Sequence, residues 1–294
     1  MIAVPGGDEA TPAERGQRGR TADADRDATS ATAHQAELPP NLRVHVGRPE
    51  RLIQDRPAQA TELLIAPVEL HRRNIQRRFR EAHRPKDGVQ IVDHTTIAER
   101  LLESVNRPTT QFDRIDRLSM IETLLADDDV AITSPAVPAD PPTIEGLRAE
   151  IERLTNFHHE RVATLRAAAT DLASPIDADA VEKLSAATTV EAALRQRTST
   201  AVSEIELLRR ATRLLWADDG HVWADAFPTV REISLVGLSN VSAMLIDLVH
   251  AILSVVPVSV SVHMHFRPAT GAYLGRRLAP LLDVDEPGAV VFES

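Results

Sequence analysis

The sequence predicts an α/β protein, a largely parallel β-sheet interrupted by an all-helical insertion, and three observations carry that prediction. Residues 62–105 read as strand, turn, basic helix, strand, capped helix, with Leu63 to Ala66 and Val89 to Val92 as short, nearly continuous apolar runs. Such runs mark strands buried on both faces under covering helices. From about 109 to 228 every periodic signal is helical, and strand signals return only at Ile233.

Taken in order, residues 1–40 are rich in Ala, Thr, Asp, Arg and Gly with almost no large apolar side chains, and read as a disordered tail. The first part of the α/β core is expected over 41–108. It opens with Leu42 to Val46, whose alternation and closing Gly47 indicate a strand entering a loop. Pro67 ends the Leu63 strand. Val68, Ile75, Phe79 and Ala82 form one helical stripe, while Arg72, Arg73, Arg77, Arg78, Arg80 and Arg84 crowd the remaining surface. A helix from Thr96 to Val105 places Ile97, Leu101, Leu102 and Val105 on one face, with Thr95 as its expected N-cap.

The helical insertion, 109–228, begins with a helix over Asp113 to Ala126, stopped by Asp127, Asp128 and Asp129 and followed by a proline-rich linker at 134–143. Ile144, Leu147, Ile151, Leu154, Val162 and Leu165 then repeat at three-to-four spacing and predict one long helix. A further helix is expected from Val190 to Trp216. The second part of the core, 229–294, contains a strand at Ile233 to Val236, a helix from Asn240 to Leu253, and an alternating strand from Val258 to Phe266. A short helix (Tyr273 to Leu282) and a last strand (Ala289 to Phe292) follow.

At 294 residues the chain can bury a sizeable core without staples. It has no cysteine, which excludes thiolate metal sites, thiol catalysis and a disulfide framework. No apolar run approaches the ~20 residues needed to cross a bilayer, and the first residues lack a signal-peptide core, so a cytoplasmic protein with no membrane partner is expected. Acidic residues outnumber basic ones 43 to 33, and Lys86 and Lys183 are the only lysines. That surplus of carboxylate is the pattern of a salt-adapted cytoplasm, where surface charge maintains hydration. Any nucleic-acid face must then be local, because counterion release contributes little in concentrated salt.

A phosphate-binding loop needs Gly-x-x-x-x-Gly-Lys-Ser/Thr after the first strand, so that backbone N–H groups wrap the phosphates while the lysine neutralises them. Here that position reads Gly47, Arg48, Pro49, Glu50, Arg51, Leu52, Ile53. The second glycine and the lysine are missing, Pro49 removes a donor, and Glu50 repels phosphate. The strand that would present a magnesium carboxylate ends in Val-Gly-Leu-Ser instead, so neither nucleotide nor any other cofactor is expected. His263 and His265 share a strand face, yet no third ligand is fixed near them, and no metal site is expected. His158, His159 and Glu160 do not complete His-Glu-x-x-His and read as a solvated helix face. The arginines from Arg72 to Arg84 read as an ordinary outer helix face or, failing that, a phosphate-contacting surface.

Several segments resemble the N-terminal part of AddB-type helicase–nuclease subunits, relatives of superfamily 1 helicases that carry a PD-(D/E)XK nuclease domain further along. ELLIAP at 62–67 followed by RRNI at 72–75 is similar to the second core strand and its helix. VQIVDHTTIAERLL at 89–102 is similar to the next strand and helix entry, DRIDRL at 113–118 to the start of the insertion, and ISLVGLS at 233–239 to the magnesium-carboxylate strand. The resemblance spans about residues 41–266 and implies a RecA-like, P-loop-type sheet with a degenerate phosphate loop. Nothing resembles the nuclease motif or the second motor domain, so the chain is expected to be a truncated member.

In such folds the loops after the second and third strands touch single-stranded DNA, which points to Ala66, Pro67 and Val68 and to Asp93, His94, Thr95 and Thr96, with His94 and Thr95 the better donors; Arg72 and Arg73 of the basic helix are further candidates for phosphate contact. The expected function is a non-catalytic, helicase-like module of a DNA double-strand-break repair helicase–nuclease. It would contact single-stranded DNA and a helicase or nuclease partner subunit, or a missing C-terminal domain. The alternative is a helical protein–protein interaction scaffold that binds no nucleic acid. An enzyme with a Rossmann-like core comes third, because no glycine-rich fingerprint follows a strand.

Overall fold

The computed structural model describes residues 38–47, 62–66, 68–83, 89–126, 137, 139–172, 179–239, 241–256, 260–267 and 278–292. Five strands form one sheet: β1 (Leu42–Val46), β2 (Glu62–Ile65), β3 (Val89–Val92), β4 (Glu232–Leu238) and β5 (Ser261–Phe266). Their spatial order is β1-β5-β4-β2-β3, and every pairing is parallel. The fold is RecA-like, with the two last strands of the chain inserted between its first and second.

Alternation divides the sheet into two faces. On one, Leu64, Ala66 and Val236 pack against Ile75 and Phe79 of α1 (Glu69–Glu81), the basic helix that the apolar stripe predicts. On the other lie Leu63, Ile65, Ile233, Leu235, Val262 and Met264. This second face is covered by α2 (His94–Glu103), α7 (Glu204–Ala217), α8 (His221–Ala226) and α9 (Ala243–Val255). Trp223 of α8 is fully buried there, joining helices of the insertion to the sheet.

Between α2 and β4 run α3 (Arg114–Ala126), α4 (Pro141–Thr155), α5 (His159–Leu172) and α6 (Ala180–Arg197), followed by α7 and α8. Two smaller apolar clusters hold these helices: Ile121, Leu124, Ile144, Val190 and Leu194 in one, Ile151, Phe157, Val162 and Leu184 in the other.

Five expectations need correction. The long helix predicted through residues 144–165 is two helices, α4 and α5, because Asn156 and Phe157 both adopt left-handed backbone conformations. Asn156 donates to Asp247 of α9 at 2.6 Å, and its carbonyl and side-chain oxygens accept from Arg209 of α7. The helix predicted from Val190 to Trp216 is likewise divided, into α6 and α7. Ser203 caps α7 by accepting from the Glu206 N–H, and Glu206 reaches back to the Val202 N–H. His158 is not on a solvated face: it is buried at the α4–α5 break, with Nε2 2.8 Å from the Asp285 carbonyl. Residues 289–292 form no strand, 291 and 292 lying in a turn, and Val290 and Phe292 pack on the insertion. The N-cap of α2 is Asp93, not Thr95. The expected phosphate-loop residues Arg48, Pro49 and Glu50, and also Pro67, lie outside the described residues.

Candidate functional site

Parallel strands end together, so the carboxyl ends of β1, β5 and β4 share one edge, the edge where open α/β sheets receive ligands. A cleft of about 310 Å³ lies there between the strand ends and α1. Gly47, Gly237, His265 and Arg267 line it from the sheet, and His71, Arg77 and Arg78 line it from α1. The described residues that line it include three arginines and two histidines and no Asp or Glu, with Arg77 also meeting Glu81 of its own helix at 3.7 Å. The cleft is therefore locally basic in a chain whose net charge is −10.

Its geometry depends on Gly237. At φ 74° this residue is in the left-handed region, and a Cβ there would collide with the His71 ring. The pairing of β4 with β5 shifts register between Leu235 and Leu238, so the strand bends where His71 closes over it. His71 Nε2 lies 2.6 Å from Arg267 Nη2. A guanidinium only donates, so the imidazole accepts at Nε2 and is neutral. Burial, followed by the charge of Arg267, pushes the His71 pKa below its ordinary value. The contact fixes Arg267 across the cleft from β5 to α1. It also occupies the region where the sequence resemblance would place a magnesium carboxylate, and this strand supplies Gly237, Leu238 and Ser239 there.

Beyond β2 and β3 the same edge is organised by Asp93. Its carboxylate accepts from the Thr96 N–H and hydroxyl, each at 2.8 Å, and from Arg72 Nη1 at 2.5 Å. Burial opposes ionisation of Asp93, but these donors outweigh it and hold the pKa below the usual carboxylate range. Arg72 also pairs with Glu69, and Arg73 meets the same glutamate at 2.8 Å. Of the nucleic-acid contacts expected from sequence, Thr95 is half-buried at the start of α2 and Thr96 is bonded to Asp93. His94 is turned inward and buried, with Nε2 3.7 Å from Glu204 of α7. The edge thus brings Arg72, Asp93 and Thr96 together and turns His94 away.

His71 and Arg267 are the cleft residues that sequence reasoning passes over. One signal was available: a glycine inside a strand pattern marks close approach by another group, and Gly237 is such a residue. The histidines at 263 and 265 gain a neighbour that the sequence could not assign. Register sets His45 of β1 opposite His265, and the His45 ring stacks on His263 and His265 with centroids at 5.5 and 4.8 Å. His45 Nε2 also lies 3.2 Å from His263 Nδ1, so these two rings share a hydrogen bond. Among the described residues no group of three His, Asp or Glu side chains is placed to hold a metal ion, and no helix is long and apolar enough to cross a membrane.

Comparison with curated proteins returns no match. The sequence model of a family described as halobacterial UvrD-like protein matches residues 28–293, nearly the whole chain. With that coverage and this parallel sheet, the chain belongs to the halobacterial UvrD-like protein family, a helicase-related group.

Proposed function

We propose that this chain is a non-catalytic, helicase-like module of a DNA repair and recombination machine of helicase–nuclease type, and that it holds single-stranded DNA on the carboxyl edge of its sheet. The observation that carries the reading is the cleft between α1 and the ends of β4 and β5, which gathers Arg77, Arg78 and Arg267 with His71 and His265 around one space. Guanidinium groups of this kind take phosphate oxygens and position a strand without reading its sequence. Half-buried Thr95, at the start of α2, adds a hydroxyl to the same edge.

The non-catalytic character follows from residue types. The stretch Gly47 to Ile53 offers neither a second glycine nor a lysine, and β4 ends in Gly237 and Leu238, with Ser239 after it, where a motor would need an acid. Turnover and cutting are therefore assigned to a partner subunit or a further domain.

Titration of labelled single- and double-stranded oligonucleotides over a range of potassium chloride concentrations tests this. The single strand is expected to bind more tightly, with affinity falling as salt rises. Undetectable binding at low salt would favour the scaffold reading, in which the helices of the insertion engage a protein.

A further inference from the structure

The helical insertion contains a second basic pocket that shares no lining residue with the sheet-edge cleft. It lies where α6 gives way to α7, has a volume of about 320 Å³, and is lined by Arg195, Ser199, Glu206, Arg209, Arg210 and Arg213. Four guanidinium groups and one carboxylate thus face one small space. The carboxylates around it are shared. Glu206 accepts from Arg210 at 2.8 Å and from the Val202 N–H at 2.5 Å, with Arg195 Nη2 at 3.6 Å. Glu191, behind the pocket, meets Arg195 at 2.8 Å and Arg148 at 2.7 Å, with Arg209 at 3.6 Å.

The pocket is also built rather than incidental. Its floor, Glu206 and Arg209, is buried, while Ser199 and Arg213 form an exposed rim. Arg210 fixes the connecting loop by donating to the Ser199 carbonyl at 2.7 Å. The loop is held from its other side by Ala201, whose carbonyl accepts from the Phe112 N–H at 2.9 Å.

We propose that this pocket binds a tetrahedral oxyanion of phosphate or sulfate size, held by Arg195, Arg210 and Arg213 with the Ser199 hydroxyl at the rim. Planar guanidinium forks match such an anion, and several forks converging on one space are the usual means of holding it. The local field points the same way. Burial, and after it the charge of Arg195, pushes the Arg213 pKa below its ordinary value, with Glu286 opposing, and a bound anion would reverse that. The phosphate group could come from solution or from the backbone of a nucleic-acid strand.

Equilibrium dialysis of the full chain against radiolabelled inorganic phosphate, at one fixed ionic strength set with potassium chloride, tests the site. The expected result is one phosphate per chain, weakened about tenfold in Arg213→Gln, the worth of one charge-assisted contact. Ser199→Ala, on the exposed rim, serves as the second variant if circular dichroism shows Arg213→Gln to be misfolded, and should weaken binding by a smaller factor. Displacement of the label by a single-stranded oligonucleotide that itself binds Arg213→Gln less well would assign the anion to a nucleic-acid backbone. Retention of the label would assign it to a free oxyanion. Phosphate uptake that is absent, or equal in wild type and both variants, would overturn the proposal. Because the sheet-edge cleft contributes no residue here and phosphate uptake is read without DNA, failure of this site and failure of the sheet-edge reading are distinguishable.

Discussion

Arg148 of α4 donates to Glu191 of α6 at 2.7 Å across 43 positions of sequence, and both side chains are almost completely removed from solvent. The same guanidinium takes Glu145 at 2.7 Å and Glu152 at 3.0 Å. Arg117 adds a second cation on Glu145, and Ser203 donates to Glu152. The centre of the insertion is thus polar and ionic, enclosed by the apolar clusters on either side. Ion pairs so buried recover their desolvation cost only when the remaining oxygens are bonded, as most are here.

Removing one member should therefore be severe. Arg148→Ala leaves three carboxylates around an empty centre and is expected to cost about 3–5 kcal/mol. Denaturant unfolding followed by circular dichroism would read the loss. A cost below about 1 kcal/mol, typical of an exposed pair, would mean that water reaches the cluster.

Glu152 carries the pH dependence of that cluster. Burial raises its pKa from 4.5 to about 7, against the pull of Arg148. A raised carboxylate binds its proton more tightly in the folded chain, so its contribution is full below about pH 4.5 and is lost as pH rises toward about 7. Glu191, held below its ordinary range by Arg148 and Arg195 despite burial, acts in the opposite sense, losing its contribution as pH falls through its folded pKa. Unfolding free energies of wild type and Glu152→Gln, compared across this range, should show the variant gaining relative stability as pH rises. A constant difference would refute the assignment.

The sheet was legible in the sequence for a simple reason: strands buried on both faces must be apolar, and Leu63 to Ala66 obey that rule without knowledge of their partners, whereas Val89 to Val92, read the same way, is the edge strand with Gln90 exposed and only Val92 buried. The helix breaks were not legible in the same way. The apolar spacing from Leu147 to Leu165 runs smoothly through residue 156, and the break is set by Asp247 and Arg209, 91 and 53 positions away. The α6–α7 break did carry a local sign, Ser203 followed three residues later by Glu206, which periodicity alone overrides. Two apolar residues at 290 and 292 read equally well as a strand or as side chains packed on helices, and the structure uses them as the latter. At the candidate site, the arginines of α1 could be named from sequence. The pairing of Arg267 with His71, 196 positions apart, could not.

Gly237 offers a direct test of the cleft. Gly237→Ala meets both an unfavourable backbone conformation at φ 74° and the ring of His71. A loss of about 1–3 kcal/mol is expected. Adding His71→Ala should recover the steric part and leave the backbone part. Full recovery in the double variant would show that the left-handed conformation costs nothing there.

Asp93 combines a helix cap with an ion pair, and two substitutions separate the roles. Asp93→Asn keeps an oxygen for the Thr96 N–H and should lose only the attraction of Arg72, whereas Asp93→Ala loses both and should cost about 0.5–2 kcal/mol. If Asp93→Asn melts at the wild-type temperature, Arg72 contributes nothing through Asp93; if the two variants melt together, the cap contributes nothing.

The purified chain is expected to hydrolyse no ATP, with or without single-stranded DNA, because residues 47–53 contain no phosphate-wrapping glycine pair and no lysine. DNA binding should survive that deficiency, since it draws on different groups. Replacing Arg77 and Arg78 with alanine should lower the salt dependence of single-strand binding by about 1.4 in the slope of log affinity against log salt, the value for two phosphate contacts. The loss should be the same for every oligonucleotide sequence, as phosphate contacts carry no base information. Thr95→Ala should weaken binding without changing that slope, because a hydroxyl releases no counterion. Magnesium-dependent ATP turnover abolished by mutating Glu50 or Arg51 would contradict the first expectation. An Arg77/Arg78 variant with an unchanged slope would move the DNA contact off this edge of the sheet.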